Sequence, residues 1–472
     1  MPIMRLACPN KERISFMSKP EKLVDAKLDF GISVKPITTR RGLKIGAGKV
    51  WPELNFTLPP MDINPSTWLD IEKLYSEVTR DVCKRTVDLA CEGLVIEFEL
   101  LPPMTMKPEW GGRLCRIITE TLDEFHHKEG LKGALRATVI DPRHDAVSAQ
   151  RRQGRNWDVM LESFLECAGA GADFLAIESI GGKEFHDPAL LEADVAGAAF
   201  ALNVLGARDM DSLWKAIVEI AREYDCLASG DTACGFSNTA MVLADRGMIP
   251  RLFASVDRIF SAPRSLAAFK AGAVGPSKDC AYEGPYVKAL AGVPIAMEGR
   301  TAACAHLSHL GNIAAASCDL WSNESVQDVR LLAARAPVVS LEQLVYDCRL
   351  MNTAIAAGPE TAKTLQNLHV QSDAGLDPQA FILAPETVVA ISDVMAQISD
   401  PYAQGVAGAK KAVSLLTEAR NAGKVKIPER EEAWLDLLEA QLEELPADGR
   451  SLLDSVRAKH SEIPFDPKEY GL

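Results

Sequence analysis

Short apolar runs alternate with helix-length segments along most of this chain, and that alternation limits its fold more than any other feature. The runs are G-L-V-I-E-F-E-L (93 to 100), A-L-R-A-T-V-I-D (134 to 141), D-F-L-A-I-E-S (173 to 179), C-L-A-S-G-D-T (226 to 232), R-I-F-S-A-P (258 to 263), V-P-I-A-M-E-G (293 to 299) and P-V-V-S-L-E (337 to 342). Between most of them lie segments with helical spacing, at 66–89, 111–128, 156–170, 189–203, 210–223, 237–246 and 303–318. In the first of these Ser66 supplies a cap, and Leu69, Ile71, Leu74, Val78, Val82 and Val87 recur at helical intervals. Short buried strands alternating with helices predict a parallel sheet. With about seven strands legible and one more among the less certain runs, an α/β fold of the (β/α)8 TIM-barrel type is the simplest closure. A doubly wound open sheet is the runner-up, weakened because neither G-x-G-x-x-G nor a phosphate-loop lysine motif follows any strand.

Around this body the chain divides into an N-terminal extension (1–60) broken by Gly46, Gly48, Pro52, Pro59 and Pro60, a barrel (61–375), and a polar, helical C-terminal segment (376–472). Within the extension, G-L-K-I-G-A-G-K-V-W-P-E-L-N-F is expected to add short strands or to cover one end of the body. A net charge of −14 would repel a nucleic-acid backbone or an anionic membrane, which leaves small molecules and proteins as partners. The first residues carry Arg5, Lys11, Glu12, Arg13 and Lys19 where a signal peptide would be apolar, and no apolar run is long enough to span a bilayer. The expectation is a soluble, cytoplasmic protein. Eleven cysteines without framework spacing agree with a reducing compartment in which thiols stay free.

Active sites of (β/α) barrels lie at the C-terminal ends of the strands, so polar residues that close a strand come first. Glu178 ends D-F-L-A-I-E, Cys234 follows S-G-D-T, and Cys280 follows G-P-S-K-D. One carboxylate and two thiolates make three ligands for Zn2+ and leave a fourth tetrahedral position for a substrate oxygen. The three lie about fifty residues apart with no local signature, and a cysteine is more often a small buried hydrophobe. A second cluster, Cys304, His306 and His309, offers another metal-ligating set, although its Ala-rich surroundings suit helix packing. His126 and His127 sit in a charged helical stretch and read as surface. Asp231, Lys278 and Asp279 flank the two cysteines closely enough to orient ligands, or simply to cap loops. No G-x-S-x-G elbow is present.

Several strings in the same order carry a more specific signal: A-I-E-S-I-G-G-K-E, S-G-D-T-A-C-x-x-x-N-T-A-M, I-F-S-A-P-R-S-L, A-G-A-V-G-P-S-K-D-C-x-Y-E, C-A-H and W-S-N-E-S. They closely resemble the zinc-containing subunit of methanol:corrinoid methyltransferases, over nearly the whole chain. The resemblance implies a (β/α)8 barrel, zinc held by Glu178, Cys234 and Cys280, and a separate corrinoid-carrying protein over the opening. It also implies transfer of a methyl group from methanol, or a related small O-methyl donor, to the Co(I) of that corrinoid. Zinc would act there as a Lewis acid on a poor leaving group, and a formally −1 ligand set favours a neutral donor. A zinc-dependent barrel lyase or hydrolase without a corrinoid partner is the alternative, and a non-catalytic scaffold subunit the third reading. A homodimer is compatible with all of them.

Three positions depart from the family pattern: Ala233 stands where an aspartate precedes the ligand cysteine, Phe236 lies in a less polar G-F-S stretch, and Ala137 replaces a histidine. The segment after W-S-N-E-S, V-Q-D-V-R-L-L-A-A-R, also differs. If Ala233 and Phe236 line the pocket, it is larger or more apolar than methanol requires, and a methoxylated donor enters the candidates.

Overall fold

In the computed structural model, residues 23–58, 61–145, 151–280, 282–300, 308–326, 331 and 334–472 are described. An antiparallel hairpin, β1 (Ile32–Thr38) and β2 (Lys44–Ala47), comes first. Seven parallel strands follow: β3 (Trp51–Thr57), β4 (Gly93–Glu99), β5 (Lys132–Ile140), β6 (Phe174–Glu178), β7 (Leu227–Ala228), β8 (Ala296–Glu298) and β9 (Leu320–Val326). Their order in the sheet is β7-β6-β5-β4-β3-β9-β8. An extended segment at 274–277 lies between the two ends: the Val274 N–H donates to Ala228 O at 2.9 Å, and Ser277 forms a parallel bridge with Ile295. It serves as an eighth stave and closes the ring, so the expected (β/α)8 barrel is what the chain forms.

The barrel interior is layered. At the N-terminal ends of the strands, Trp51, Val95, Ala134, Phe174, Ala296 and Leu320 form an apolar cluster with Leu43 and Ile45 of the hairpin. The G-L-K-I-G-A-G segment therefore plugs the bottom of the barrel. Above that plug the interior is charged: Arg136 of β5 donates to Glu53 of β3 at 2.7 Å across the intervening strand, with both side chains fully buried. Buried charges persist only when paired, and here they are.

Two predicted strands are helices. Residues 258–263 lie inside the helix Arg251–Ala271, which is buried on nearly every face and packs against the helices Ala207–Glu223 and Pro401–Asn421. A helix apolar all round shows no amphipathic period, and a six-residue stretch of it cannot be told from a buried strand. Residues 337–342 open the helix Ala336–Ala356, where Pro337 occupies a first-turn position that needs no N–H donor. The strands that replace them in the count, β3 and β9, carry Glu53, Asn55 and Ser322 toward the charged interior, and this obscured their apolar alternation. β3 also places one stave of the sheet within residues 1–60. Of the helix predicted at 303–318, the described residues 308–318 contain only the short turn Ile313–Ala316. From 376 onward the chain is helical, with Pro385–Ala396, Pro401–Asn421 and Ala433–Glu444 as its main elements. Among the described residues, no helix is long and apolar enough to cross a membrane.

Candidate metal centre

Three consecutive staves deliver the predicted ligands. Glu178 is the last residue of β6; Cys234 opens a π-helical turn, Cys234–Asn238, in the loop after β7; and Cys280 follows the 274–277 stave. Adjacent staves end side by side, so residues far apart in sequence meet at the top of the barrel. One ligand atom from each of Glu178, Cys234 and Cys280 lies within 4.8 Å of the other two, and the Cys280 thiol donates to Glu178 Oε1 at 3.7 Å.

Two glycines make the approach possible. Gly230 has φ +106°, and a Cβ there would meet the Phe269 ring at 2.5 Å. Gly275, with φ +86°, runs so close to Pro294 that a Cβ would come within 2.8 Å of its carbonyl. Gly230 lets the Cys234 loop turn sharply after β7, and Gly275 lets the stave that leads to Cys280 run close against Pro294.

The centre is buried on one side and open on the other. Cys280 is 3% exposed, whereas the Glu178 side chain retains 27% of its surface and Cys234 is half-buried. Asn238 Nδ2 donates to Cys234 Sγ at 3.4 Å within the π-turn. A hydrogen bond with Cys280 pulls the Cys234 thiol down, but burial and the nearby Glu178 charge outweigh it and raise its pKa. The contact with Cys234 and burial hold the Cys280 thiol well above the ordinary range. Burial also raises Glu178, against the opposing pull of Lys278. Two thiols and a carboxylate crowded together in this way release their protons when a divalent cation takes their place. The donor set is borderline-soft and suits Zn2+ with one tetrahedral position left for another oxygen.

Beneath the centre, Lys278 Nζ reaches Glu97 at 2.8 Å, Glu99 at 3.0 Å, Asp279 at 3.2 Å and Glu178 at 3.4 Å. Burial opposes the lysine charge, but Asp279, Glu97 and Glu99 prevail and keep it protonated. Asp279 is further held by Ser322 Oγ at 2.6 Å, and Glu97 by Thr138 Oγ1 at 2.6 Å. Glu53, Glu97 and Asp279 also cluster within 4.8 Å, but Arg136 and Lys278 already supply the positive charge there. That group is an ion-pair layer and needs no metal.

The other predicted residues divide between the surroundings of the centre and distant parts of the fold. Cys304 and His306 fall outside the described residues, and His309 is exposed. His126 and His127 sit on the helix Pro108–Glu129 and bond the carbonyls of Leu131 and Asp123. Asp231 accepts from the Ser179 N–H at 3.1 Å and the Ser179 hydroxyl at 2.6 Å, which ties the Glu178 strand to the Cys234 loop. Ala233, Phe236 and Ala137 are each 0% exposed, so none borders a space that a water molecule could enter. Phe236 is instead packed between the His186 ring at 5.0 Å and the Arg264 guanidinium at 4.5 Å. The wider or more apolar pocket expected from Ala233 and Phe236 is not formed by these residues. Asn238 and Glu283, which organise the cysteine loops, have no signal of their own in the sequence beyond their place in the strings N-T-A-M and C-x-Y-E.

The pattern of the family described as "Methanol-cobalamin methyltransferase B subunit" matches residues 18–471. The chain belongs to that family. A relative, the methanol–corrinoid protein co-methyltransferase of Methanosarcina barkeri (strain Fusaro / DSM 804), is 36% identical over 454 residues, covering 94% of this chain and 96% of its own. The chain superposes on a chain of the methanol:cobalamin methyltransferase complex MtaBC from Methanosarcina barkeri with a TM-score of 0.90, at 35% identity over 96% of this chain and 100% of that one. As a member of the B-subunit family, this chain is a methyltransferase of the methanol:corrinoid type.

Proposed function

We propose that this enzyme binds one Zn2+ through Glu178, Cys234 and Cys280 and moves a methyl group from methanol, or a related small O-methyl donor, to the Co(I) corrinoid of a partner protein. The convergence of those three side chains at the ends of consecutive staves carries this reading. When bound, zinc supplies Lewis acidity, which a C–O bond with hydroxide as its leaving group needs.

The chain's own residues prepare the site for that chemistry. Glu178 and the two thiols hold the ion at the end of a rigid sheet, and rigid mounting is what makes electrostatic catalysis effective. Lys278 beside Glu178 offsets part of the negative charge, and the ion-pair layer beneath keeps Lys278 and Asp279 from moving. Asn238 donates to Cys234 Sγ and limits how strongly that sulfur quenches the acidity of the ion. The open side at Glu178 and Cys234 is where donor and corrinoid would meet. Names of the relatives, which specify methanol and a corrinoid protein, support the same donor and acceptor.

Mixing the zinc-loaded protein with cob(I)alamin and methanol, and following loss of the Co(I) spectrum, tests this function. Methylation is the expected result. Failure with methanol and with a panel of methoxylated donors, while zinc is bound, overturns it.

A further inference from the structure

The string I-F-S-A-P-R-S-L contributes no metal ligand, yet it places two side chains against all three arms of the centre. We propose that Arg264 and Ser265, neighbours on the helix Arg251–Ala271, are positioning residues that hold the three ligand arms in register and thereby set the metal affinity; this rests on Glu178, Cys234 and Cys280 being the ligands.

Arg264 is 0% exposed. Its Nη2 donates to the carbonyl oxygen of Ser179 at 2.8 Å and to the Ser179 hydroxyl at 2.7 Å, so it grips the residue next to Glu178. The same nitrogen lies 3.6 Å from Asp231 Oδ2, the oxygen that also accepts from the Ser179 N–H and hydroxyl. The guanidinium also covers the Phe236 ring at 4.5 Å. Asp231 precedes Cys234 and Phe236 follows it, so Arg264 holds the Cys234 loop on both sides while fastening it to the Glu178 strand.

Ser265 makes the remaining link. Its hydroxyl donates to Glu283 Oε1 at 2.5 Å, and that oxygen also accepts the Ala233 N–H at 2.7 Å. Glu283 stands just after Cys280 and Ala233 just before Cys234. The two cysteine arms are therefore joined through one carboxylate oxygen that Ser265 orients.

Stability alone gives little reason for an arginine here. Among the described residues its Nε and Nη1 have no hydrogen-bond partner although both are buried, and replacing a buried ion pair such as Arg264 and Asp231 together by apolar side chains commonly leaves a core as stable or more so. What an apolar side chain cannot do is donate to Ser179 while pairing with Asp231. Groups that orient ligands from behind typically change metal affinity by tenfold or more when removed.

The test uses the full chain as Arg264→Lys, Ser265→Ala and Ser179→Ala, each stripped of metal. Zn2+ is titrated against a chromophoric chelator, and Co2+ is followed through its thiolate charge-transfer and d–d bands. Arg264→Lys and Ser265→Ala are expected to weaken Zn2+ binding roughly tenfold or more and to lower the tetrahedral Co2+ band intensity, with the metal-free melting temperature near that of wild type. Ser179→Ala should do the same, and it decides the matter if Arg264→Lys does not fold. Affinity and spectra equal to wild type in folded variants overturn the proposal, as does a loss of affinity that merely tracks a fall in metal-free melting temperature. A wild-type chain that takes up neither Zn2+ nor Co2+ overturns the ligand assignment as well, which distinguishes the two failures.

Discussion

Lys278 Nζ and Glu178 Oε1 lie 3.4 Å apart, with the lysine 1% exposed, so an ammonium group sits directly behind the proposed carboxylate ligand. The same ammonium pairs with Glu97, Glu99 and Asp279. It is the positive centre of a layer that separates the candidate metal centre from the apolar plug below.

Removing that charge leaves several carboxylates buried without compensation. Lys278→Met should destabilise the fold by about 3–5 kcal/mol, because an uncompensated buried ion costs more than the pair contributed. Urea unfolding of the metal-free protein measures it; a change below about 1 kcal/mol would show that the layer rearranges around the loss.

Zinc content tests the ligand set directly. Wild type should carry about one zinc per chain, and Cys234→Ala and Cys280→Ala should each lose most of it, because two remaining donors hold Zn2+ poorly. Elemental analysis after gel filtration is the measurement. Full retention in both variants would place the metal elsewhere.

Gly230→Ala addresses the loop that brings Cys234 into place. Its φ of +106° and the 2.5 Å approach of a Cβ to Phe269 predict a stability loss of about 1–3 kcal/mol together with weaker zinc binding. Thermal unfolding and a chelator competition report the two effects separately. An unchanged protein would mean that the loop accommodates the methyl group by moving Phe269.

Glu324, in the C-terminal half of β9, gives a pH prediction. Burial, assisted by the charges of Glu99 and Asp279, pushes its carboxyl up to about 7 from an ordinary value of 4.5. The folded state then keeps a proton that the unfolded state releases, so the contribution is fully present below pH 4.5 and is lost as pH rises through 7. Glu324→Gln has no proton to release, and its urea midpoint should gain on wild type between about pH 5 and 7. Parallel profiles for the two proteins would refute the shift.

Much of the architecture was legible because β4, β5, β6 and β8 are mostly apolar and are closed by turn signals, even though β4 and β5 also send Glu97 and Arg136 into the charged layer. β3 and β9 were harder to read, since a barrel with an ion-pair layer needs Glu53, Asn55 and Ser322 where an ordinary strand has Val or Ile. The buried helix Arg251–Ala271 misled in the opposite direction: with no solvent face, its Ile259, Phe260 and Pro263 read as a strand and its end.

The proposed ligands Glu178, Cys234 and Cys280 could be chosen from the sequence because strand ends can be located there and because thiol and carboxylate chemistry is specific to residue type. The sequence also determined the barrel class and the family. What holds those ligands together was decided only in three dimensions. Arg264, Ser265 and Glu283 act through contacts among residues distant in the chain, and Ala233 and Phe236 face packed interior. The direction in which a side chain points depends on how helices and staves pack around it, and residue spacing carries no record of that.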